Sequence, residues 1–139
     1  MTRYALILCS FLTVLIAGCS NGRPSDVAKQ PGDCYCELSN PEVMAINGEL
    51  RFKVHYQFPD GPPRAEAWFT CTFEIMGTST SSVTLRRQGR ELMDEGDFDV
   101  STNPSFLRSL HGAFAVTVKQ GAAKAGPFHE VSTRLLAEF

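Results

Sequence analysis

The chain has 139 residues, which is enough for one domain with flanking sequence and too short for two typical domains. Hydrophobic residues make up 43% of the chain and charged residues 20%, as in ordinary globular proteins. The formal net charge of -2 gives no general attraction to nucleic acid, so nucleic-acid binding is not favoured.

The first nineteen residues differ in composition from the rest of the chain. A short positive start at Arg3 is followed by an uncharged, mostly apolar stretch over residues 4–17. This pattern is typical of a secretory signal peptide. The stretch is shorter than the roughly 20 apolar residues that a membrane-spanning helix needs. We therefore expect an exported protein.

The apolar stretch ends in Ile16, Ala17, Gly18 and Cys19. An aliphatic residue, two small residues and a cysteine resemble the lipobox of bacterial lipoproteins. The resemblance implies a signal peptide over residues 1–18 and a lipid on the Cys19 thiol, and Ser20 implies the outer membrane if the organism is Gram-negative. Acyl chains, at about 0.8 kcal/mol per buried methylene, would anchor the protein without a spanning segment. The alternative is an ordinary signal peptide, or an apolar helix with a chance cysteine.

Residues 19–33 are predicted to be the lipidated N-terminus and a flexible tether. From Ser20 to Asp33 the sequence has two Gly, two Pro and almost no apolar side chains. Such a composition cannot bury enough surface to offset the entropy lost on ordering. Fully extended, the segment would reach roughly 46 to 50 Å, so the domain could stand clear of the membrane.

Residues 34–139 are predicted to form one all-β domain. Residues 50–58 alternate strictly between apolar and polar side chains, and residues 65–75 do so again after a Pro- and Gly-rich turn, which indicates two strands joined as a hairpin. Further alternating runs follow at residues 81–87, 90–96, 97–101, 112–120 and 130–139, and a first strand is expected within residues 34–38 or 43–46. About seven short strands in such a length favour an antiparallel two-sheet sandwich. A small closed antiparallel barrel is the alternative.

The run "GAFAVTVKQG" looks like the penultimate strand of bacterial immunoglobulin-like and fibronectin-III-like modules. The resemblance implies an immunoglobulin-like sandwich. Phe114 stands where many of these modules have a tyrosine, so the hydroxyl tie of a tyrosine corner is missing. No particular family of such modules is indicated.

An exported domain lies where disulfides can form. Cys9 leaves with the signal peptide and Cys19 carries the lipid, so three thiols remain in the domain. We predict a Cys36–Cys71 disulfide, with Cys34–Cys71 as the alternative. The bond would contribute about 3 to 4 kcal/mol in the chain-entropy model. The remaining thiol is expected to be free or to bridge to another molecule.

A second interpretation of Cys34 and Cys36 is a soft-metal or thiol-active site completed by a histidine. The three histidines, His55, His111 and His129, lie on separate segments without ligand spacing. We therefore expect no metal and no cofactor.

Two charged segments are interpreted as solvated turns. The acidic run of residues 94–99 lacks the twelve-residue ligand pattern of a helix-loop-helix calcium site. The basic residues Arg86, Arg87 and Arg90 flank Gly89 and could touch lipid phosphates or an acidic partner.

Trp68 is the candidate binding residue. The alternation that buries Phe69 and Cys71 turns Trp68 outward beside Thr70 and Thr72, where an indole can anchor a protein or a glycan. The alternative is a bulge, or the tether folding back, that covers the ring.

The sequence contains no recognisable catalytic motif, so we expect no enzyme. The predicted function is a lipid-anchored binding or accessory module of the cell envelope. Two alternatives are a periplasmic metal-handling or thiol-active protein that uses Cys34 and Cys36, and an envelope inhibitor of a secreted hydrolase.

Overall fold

The protein is described by a computed structural model over residues 31–77, 80–102 and 112–139. The predicted signal peptide, the lipobox with Cys19, most of the tether and His111 lie outside these residues. The described part contains one short 3-10 helix, Gly89–Glu91. Its strands are β1 Glu37–Ile46, β2 Glu49–Gln57, β3 Trp68–Met76, β4 Thr80–Gln88, β5 Glu95–Thr102, β6 Ala113–Gly121, β7 Phe128–Glu130 and β8 Leu135–Glu138. No helix among the described residues is long and apolar enough to cross a membrane.

The strands form two antiparallel sheets that pack face to face. One sheet has the order β1-β2-β5, and the other has the order β4-β3-β6 with both β7 and β8 paired to β6. The predicted all-β sandwich of two antiparallel sheets is confirmed, with eight described strands where about seven were expected. The described strands do not close into a barrel.

The apolar faces of the strands meet between the two sheets. In β2 the alternation places Phe52, Val54 and Tyr56 inside, and in β3 it places Phe69 and Phe73 inside, as predicted. Phe52 of one sheet and Phe114 of the other stack edge to face at 5.2 Å between ring centroids. Each fully buried side chain of this kind contributes about 1.5 to 3 kcal/mol through the hydrophobic effect.

The predicted hairpin between β2 and β3 is wrong. β2 pairs with β1 and β5, whereas β3 pairs with β4 and β6 in the other sheet. Residues 58–67 carry the chain from one sheet to the other. Each strand has a complete apolar face, and the two faces are buried by packing against each other across the core rather than by lying side by side.

Three predicted strands have different bounds in the structure. The expected strand at residues 90–96 is wrong for residues 90–94, while residues 95 and 96 begin β5. Gly89–Glu91 is instead a 3-10 helix preceded by Gln88, whose backbone amide donates to the Glu91 carboxylate at 2.7 Å. Of the two alternatives for the first strand, residues 43–46 fall in β1, whereas residues 34–38 overlap it only at Glu37 and Leu38. β1 is interrupted by a bulge between Ser39 and Glu42. The expected last strand is divided between β7 and β8.

Candidate binding surface

Trp68 opens β3 and lies on the outer face of the five-stranded sheet. Its cross-strand partners are Gln88 in β4 and Gly121 in β6. The side chain is half-buried, and the Lys124 ammonium lies 5.8 Å from the centroid of the indole ring. The outward orientation expected from the alternation is present, while a role in binding stays a prediction.

A second aromatic ring, Phe128, lies on the same sheet face, two strands from Trp68. Phe128 pairs with Gly121, the same residue that faces Trp68 from the other side. A Cβ at Gly121 would lie 2.6 Å from the Pro127 carbonyl oxygen and 2.9 Å from the Phe128 ring, so glycine is required for this ring to lie where it does. The Arg86 guanidinium lies 5.8 Å from the centroid of that ring. We call Trp68, Phe128, Arg86 and Lys124 the aromatic–basic surface.

The chain before Trp68 is held in place by Gly89. The Gly89 amide donates to the Ala67 carbonyl at 2.7 Å, and the Arg90 amide donates to the Ala65 carbonyl at 3.1 Å. A Cβ at Gly89 would overlap the Arg64 carbonyl oxygen. The missing side chain therefore lets the connector from β2 approach the end of β4 closely, and this approach sets where β3 and Trp68 begin.

An open cleft of about 410 Å³ lies beside the aromatic–basic surface. Phe128 belongs to both features, and Gly121, which lies between Trp68 and Phe128 in the sheet, also lines the cleft. Charged side chains of both signs line the cleft, namely Asp33, Arg64, Glu66 and His129.

Buried polar contacts hold the N-terminal segment against this cleft. His129 Nε2 lies 2.6 Å from Asp33 Oδ1, and the Asp33 side chain is only 6% exposed. Gln120 is buried, and its amide group donates to the Gly32 carbonyl at 3.0 Å and accepts from the Cys34 amide at 2.7 Å. These contacts fix the wall of the cleft formed by residues 31–34.

Cys36 and Cys71 are buried thiols in the core. Desolvation by burial raises the pKa of Cys36 to about 12. Desolvation also raises the pKa of Cys71, and the charge of an ionised Cys36 would raise it further. A thiol with so high a pKa is protonated at neutral pH, so it is a poor nucleophile and a poor metal ligand. This burial weakens the thiol-active interpretation of Cys36.

The structure has Cys34, Cys36 and Cys71 as free thiols, so neither the preferred Cys36–Cys71 disulfide nor the Cys34–Cys71 alternative is present in it. Cys34 is half-buried, and its sulfur accepts a hydrogen bond from the Arg64 amide at 3.5 Å. Pairing of Cys36 with Cys71 stays a prediction.

The acidic run is not a turn, because Glu95, Asp97 and Asp99 belong to the edge strand β5. His55 lies between two of these carboxylates, 3.4 Å from Glu95 and 3.2 Å from Asp97. Among the described residues, no group of three or more His, Cys, Asp or Glu side chains is placed to hold a metal ion.

The strand alternation indicated Trp68, but no sequence pattern indicated Phe128, Lys124 or Gln120. Phe128 and Lys124 carry no local motif, and only the pairing of β6 with β7 brings Phe128 to the position opposite Gly121. The predicted basic turn is wrong for Arg86, because Arg86 lies in β4 with its guanidinium near the Phe128 ring.

No model of a known protein family matches this sequence, and no curated protein matches it. Among solved structures, the chain is similar to the crystal structure of wild type OgpA from Akkermansia muciniphila, with a TM-score of 0.36 and 12% sequence identity. The similarity covers 84% of this chain and 29% of that one, so this chain spans less than a third of the length of that structure. A similarity of this size carries no functional information.

Proposed function

We propose that the protein is a lipoprotein of the bacterial cell envelope, anchored through Cys19, whose β-sandwich is a non-catalytic binding or accessory module. The lipobox resemblance at residues 16–19 and the polar tether after it support the anchor. The outer membrane is the expected location in a Gram-negative organism. The partner bound by the sandwich is a protein or a glycan of the envelope.

The observation that carries the binding proposal is the aromatic–basic surface. Tryptophan and arginine, both present in this surface, are among the residue types that contribute most binding energy in protein interfaces. Here Trp68 and Phe128 lie on one sheet face, each with a cation 5.8 Å from its ring centroid, next to a cleft of about 410 Å³. A concave site with a few convergent polar groups is the common form of a ligand site.

The intact mass of the protein from its native membrane tests the anchor. We expect the mass of a chain beginning at Cys19 plus a diacylglyceryl group and a further acyl chain. Alkylation before and after reduction counts the free thiols in the same experiment. If the disulfide forms, one thiol is alkylated before reduction and three are alkylated after it. A chain without lipid would contradict the anchor, and Cys34, Cys36 and Cys71 all unpaired in the native protein would contradict the disulfide.

Retention of envelope material on the immobilised lipoprotein tests the binding role. Solubilised envelope is separated into protein and glycan fractions, and each is passed over the wild type and a Trp68→Ala variant. We expect one fraction to be retained by the wild type and lost by the variant. Lys53→Gln is the control, because Lys53 lies in the other sheet, where it pairs with Glu42 at 3.3 Å. Equal retention by all three proteins would contradict a role for this surface.

A further inference from the structure

We infer that the ligand of the aromatic–basic surface is a negatively charged glycan. This inference rests on the proposed function and names the class of partner for the same surface. It depends on the unpaired charges of the surface, on its aromatic rings, and on the strands that carry them.

The cations of this surface have no carboxylate partner. Among the described residues, no carboxylate lies within ion-pair distance of Arg86 or Lys124, whereas Lys53 in the other sheet is paired with Glu42 at 3.3 Å. The unpaired cations lie on the outer face of one sheet, or in the loop after it, in a chain whose net charge is -2. The positive potential of cations without a carboxylate partner attracts an anionic ligand.

The cations are also free to turn toward a ligand. Arg86 lies 5.8 Å from the centroid of the Phe128 ring, and Lys124 lies 5.8 Å from the centroid of the Trp68 ring. Both distances are near the outer limit of about 6 Å for a cation–π contact, which contributes about 0.5 to 1 kcal/mol at exposed sites. A planar guanidinium such as that of Arg86 can instead bind a carboxylate or phosphate in a bidentate manner, and charge-assisted hydrogen bonds of this kind are stronger.

The two rings suit the flat faces of sugars. One face of a pyranose ring presents C–H bonds, and these pack on the electron-rich face of an aromatic ring while the hydroxyl and acid groups at the rim point sideways. Trp68 and Phe128 supply two such rings on one sheet face. The cleft continues from Phe128, so a chain of several sugars has room to extend past the rings toward Arg64.

The surface is less suited to an extended acidic peptide. A peptide that adds to a sheet gains most of its affinity from backbone hydrogen bonds at a free strand edge. β3 pairs with β4 on one side and β6 on the other from Trp68 to Met76, so its backbone has no free edge. A ligand at Trp68 must therefore be bound by side chains, and a peptide added to the free edge of β4 would lie one strand further from that ring.

The surface is also less suited to insertion into a bilayer. Interfacial anchors present apolar side chains that protrude from the protein. The large apolar side chains that are well exposed in the described part are Met44, Ile46, Met93 and Leu136, and none of them belongs to this surface. Trp68 and Phe128 are both half-buried.

Trp68 is the single tryptophan of the chain, so its fluorescence reports directly on the surface. The detergent-solubilised lipoprotein is titrated with a galacturonate hexamer, which carries a carboxylate on every sugar. Maltohexaose, poly-glutamate and phosphatidylglycerol vesicles are titrated in parallel as neutral-glycan, acidic-peptide and lipid comparisons. We expect a saturable fluorescence change with the acidic hexamer and a response at least tenfold weaker with the others.

Charge variants then assign the binding to the cations. Arg86→Gln and Lys124→Gln are each expected to weaken the affinity for the acidic hexamer about 5- to 10-fold, and Lys53→Gln is expected to leave it unchanged. The inference would be overturned if maltohexaose gave a response as strong as the acidic hexamer, or if poly-glutamate or the vesicles gave a stronger one. It would also be overturned if the acidic hexamer gave no response. If Trp68→Ala still abolishes retention of envelope material in that case, the proposed binding role stands and only the ligand class is wrong. If retention is also unaffected, both proposals fail.

Discussion

Gln120 shows how much one buried polar side chain contributes here. It forms hydrogen bonds with the Gly32 carbonyl and the Cys34 amide, and so links the N-terminal segment to β6. Removing a buried partner leaves those backbone groups without hydrogen bonds, which costs about 1 to 3 kcal/mol.

We therefore expect Gln120→Leu to lower the free energy of unfolding by about 2 kcal/mol in urea titrations. Gln57→Ala is the matched control, because Gln57 is exposed in β2, and its effect is expected to stay within about 0.5 kcal/mol. Equal losses in the two variants would show that the contacts of Gln120 do not stabilise the fold.

The buried thiols predict a loss of stability at alkaline pH in the reduced protein. The pKa of Cys36 is raised from 9.0 to about 12 and that of Cys71 is raised as well, so the folded state keeps protons that the unfolded state releases. The stabilisation is fully present below pH 9 and is lost as the pH rises from about 9 toward 12. The slope is about 1.4 kcal/mol per pH unit for each thiol.

Urea unfolding of the reduced protein between pH 8 and 10.5 measures this slope. Cys36→Val is expected to remove about half of the slope due to the thiols, and Cys34→Ser to leave it unchanged. The oxidised protein should lack the slope if Cys36 and Cys71 form the predicted disulfide. An unchanged slope in Cys36→Val would contradict the assignment to the buried thiols.

At the scale of strands and connections, the contact at Gly89 joins the β2–β3 connector to the end of β4. An alanine there would overlap the Arg64 carbonyl oxygen, which is backbone and cannot rotate away. We expect Gly89→Ala to destabilise the protein by about 2 to 3 kcal/mol and to shift the fluorescence of Trp68, because the connector leads directly into β3.

Gly48→Asn is the control for that experiment. Gly48 has a φ of 78°, and nothing lies within 4 Å of an added Cβ. Asparagine tolerates this left-handed conformation better than other side chains, so the expected loss is below about 1 kcal/mol. A loss at Gly48 as large as at Gly89 would show that steric overlap is not the cause.

Local sequence predicted some strand pairings and missed others for physical reasons. Asn47 and Gly48 have φ values of 51° and 78°, as a type I′ turn requires, and Asn-Gly is the strongest short hairpin signal. That signal could have identified the β1–β2 hairpin. The Pro-rich segment before β3 could not have revealed that it crosses between sheets, because a proline turn is compatible with either path.

For the whole molecule, Phe114 is the side chain that connects the two sheets most directly. Its ring contacts Phe52 of the opposite sheet at 5.2 Å and Phe73 of its own sheet at 6.4 Å between centroids. The side chain is 1% exposed, so truncation would leave a cavity between the sheets.

We expect Phe114→Ala to lower the free energy of unfolding by about 3 to 5 kcal/mol and Phe114→Leu by clearly less, because leucine fills part of the cavity. Leu136→Ala is the control, since Leu136 is 57% exposed and its loss should stay within about 0.5 kcal/mol. Thermal unfolding followed by circular dichroism measures all three. A loss in Phe114→Ala no larger than in Leu136→Ala would contradict the role of this ring in the core.

The sequence by itself determined which side chains face the core. The alternation in β2 and β3 predicted the buried Phe52, Val54, Phe69 and Phe73 and the outward direction of Trp68, because successive side chains of a strand point to opposite faces whatever lies next to it. Only the tertiary structure decided which strands pair and which side chains meet. Gly121 lies between Trp68 and Phe128 only because three strands pair in this order. The contacts of Gln120 and His129 with residues 32–34 join parts of the chain up to 96 residues apart. Such contacts depend on the packing of the whole sandwich, and a local pattern carries no information about them.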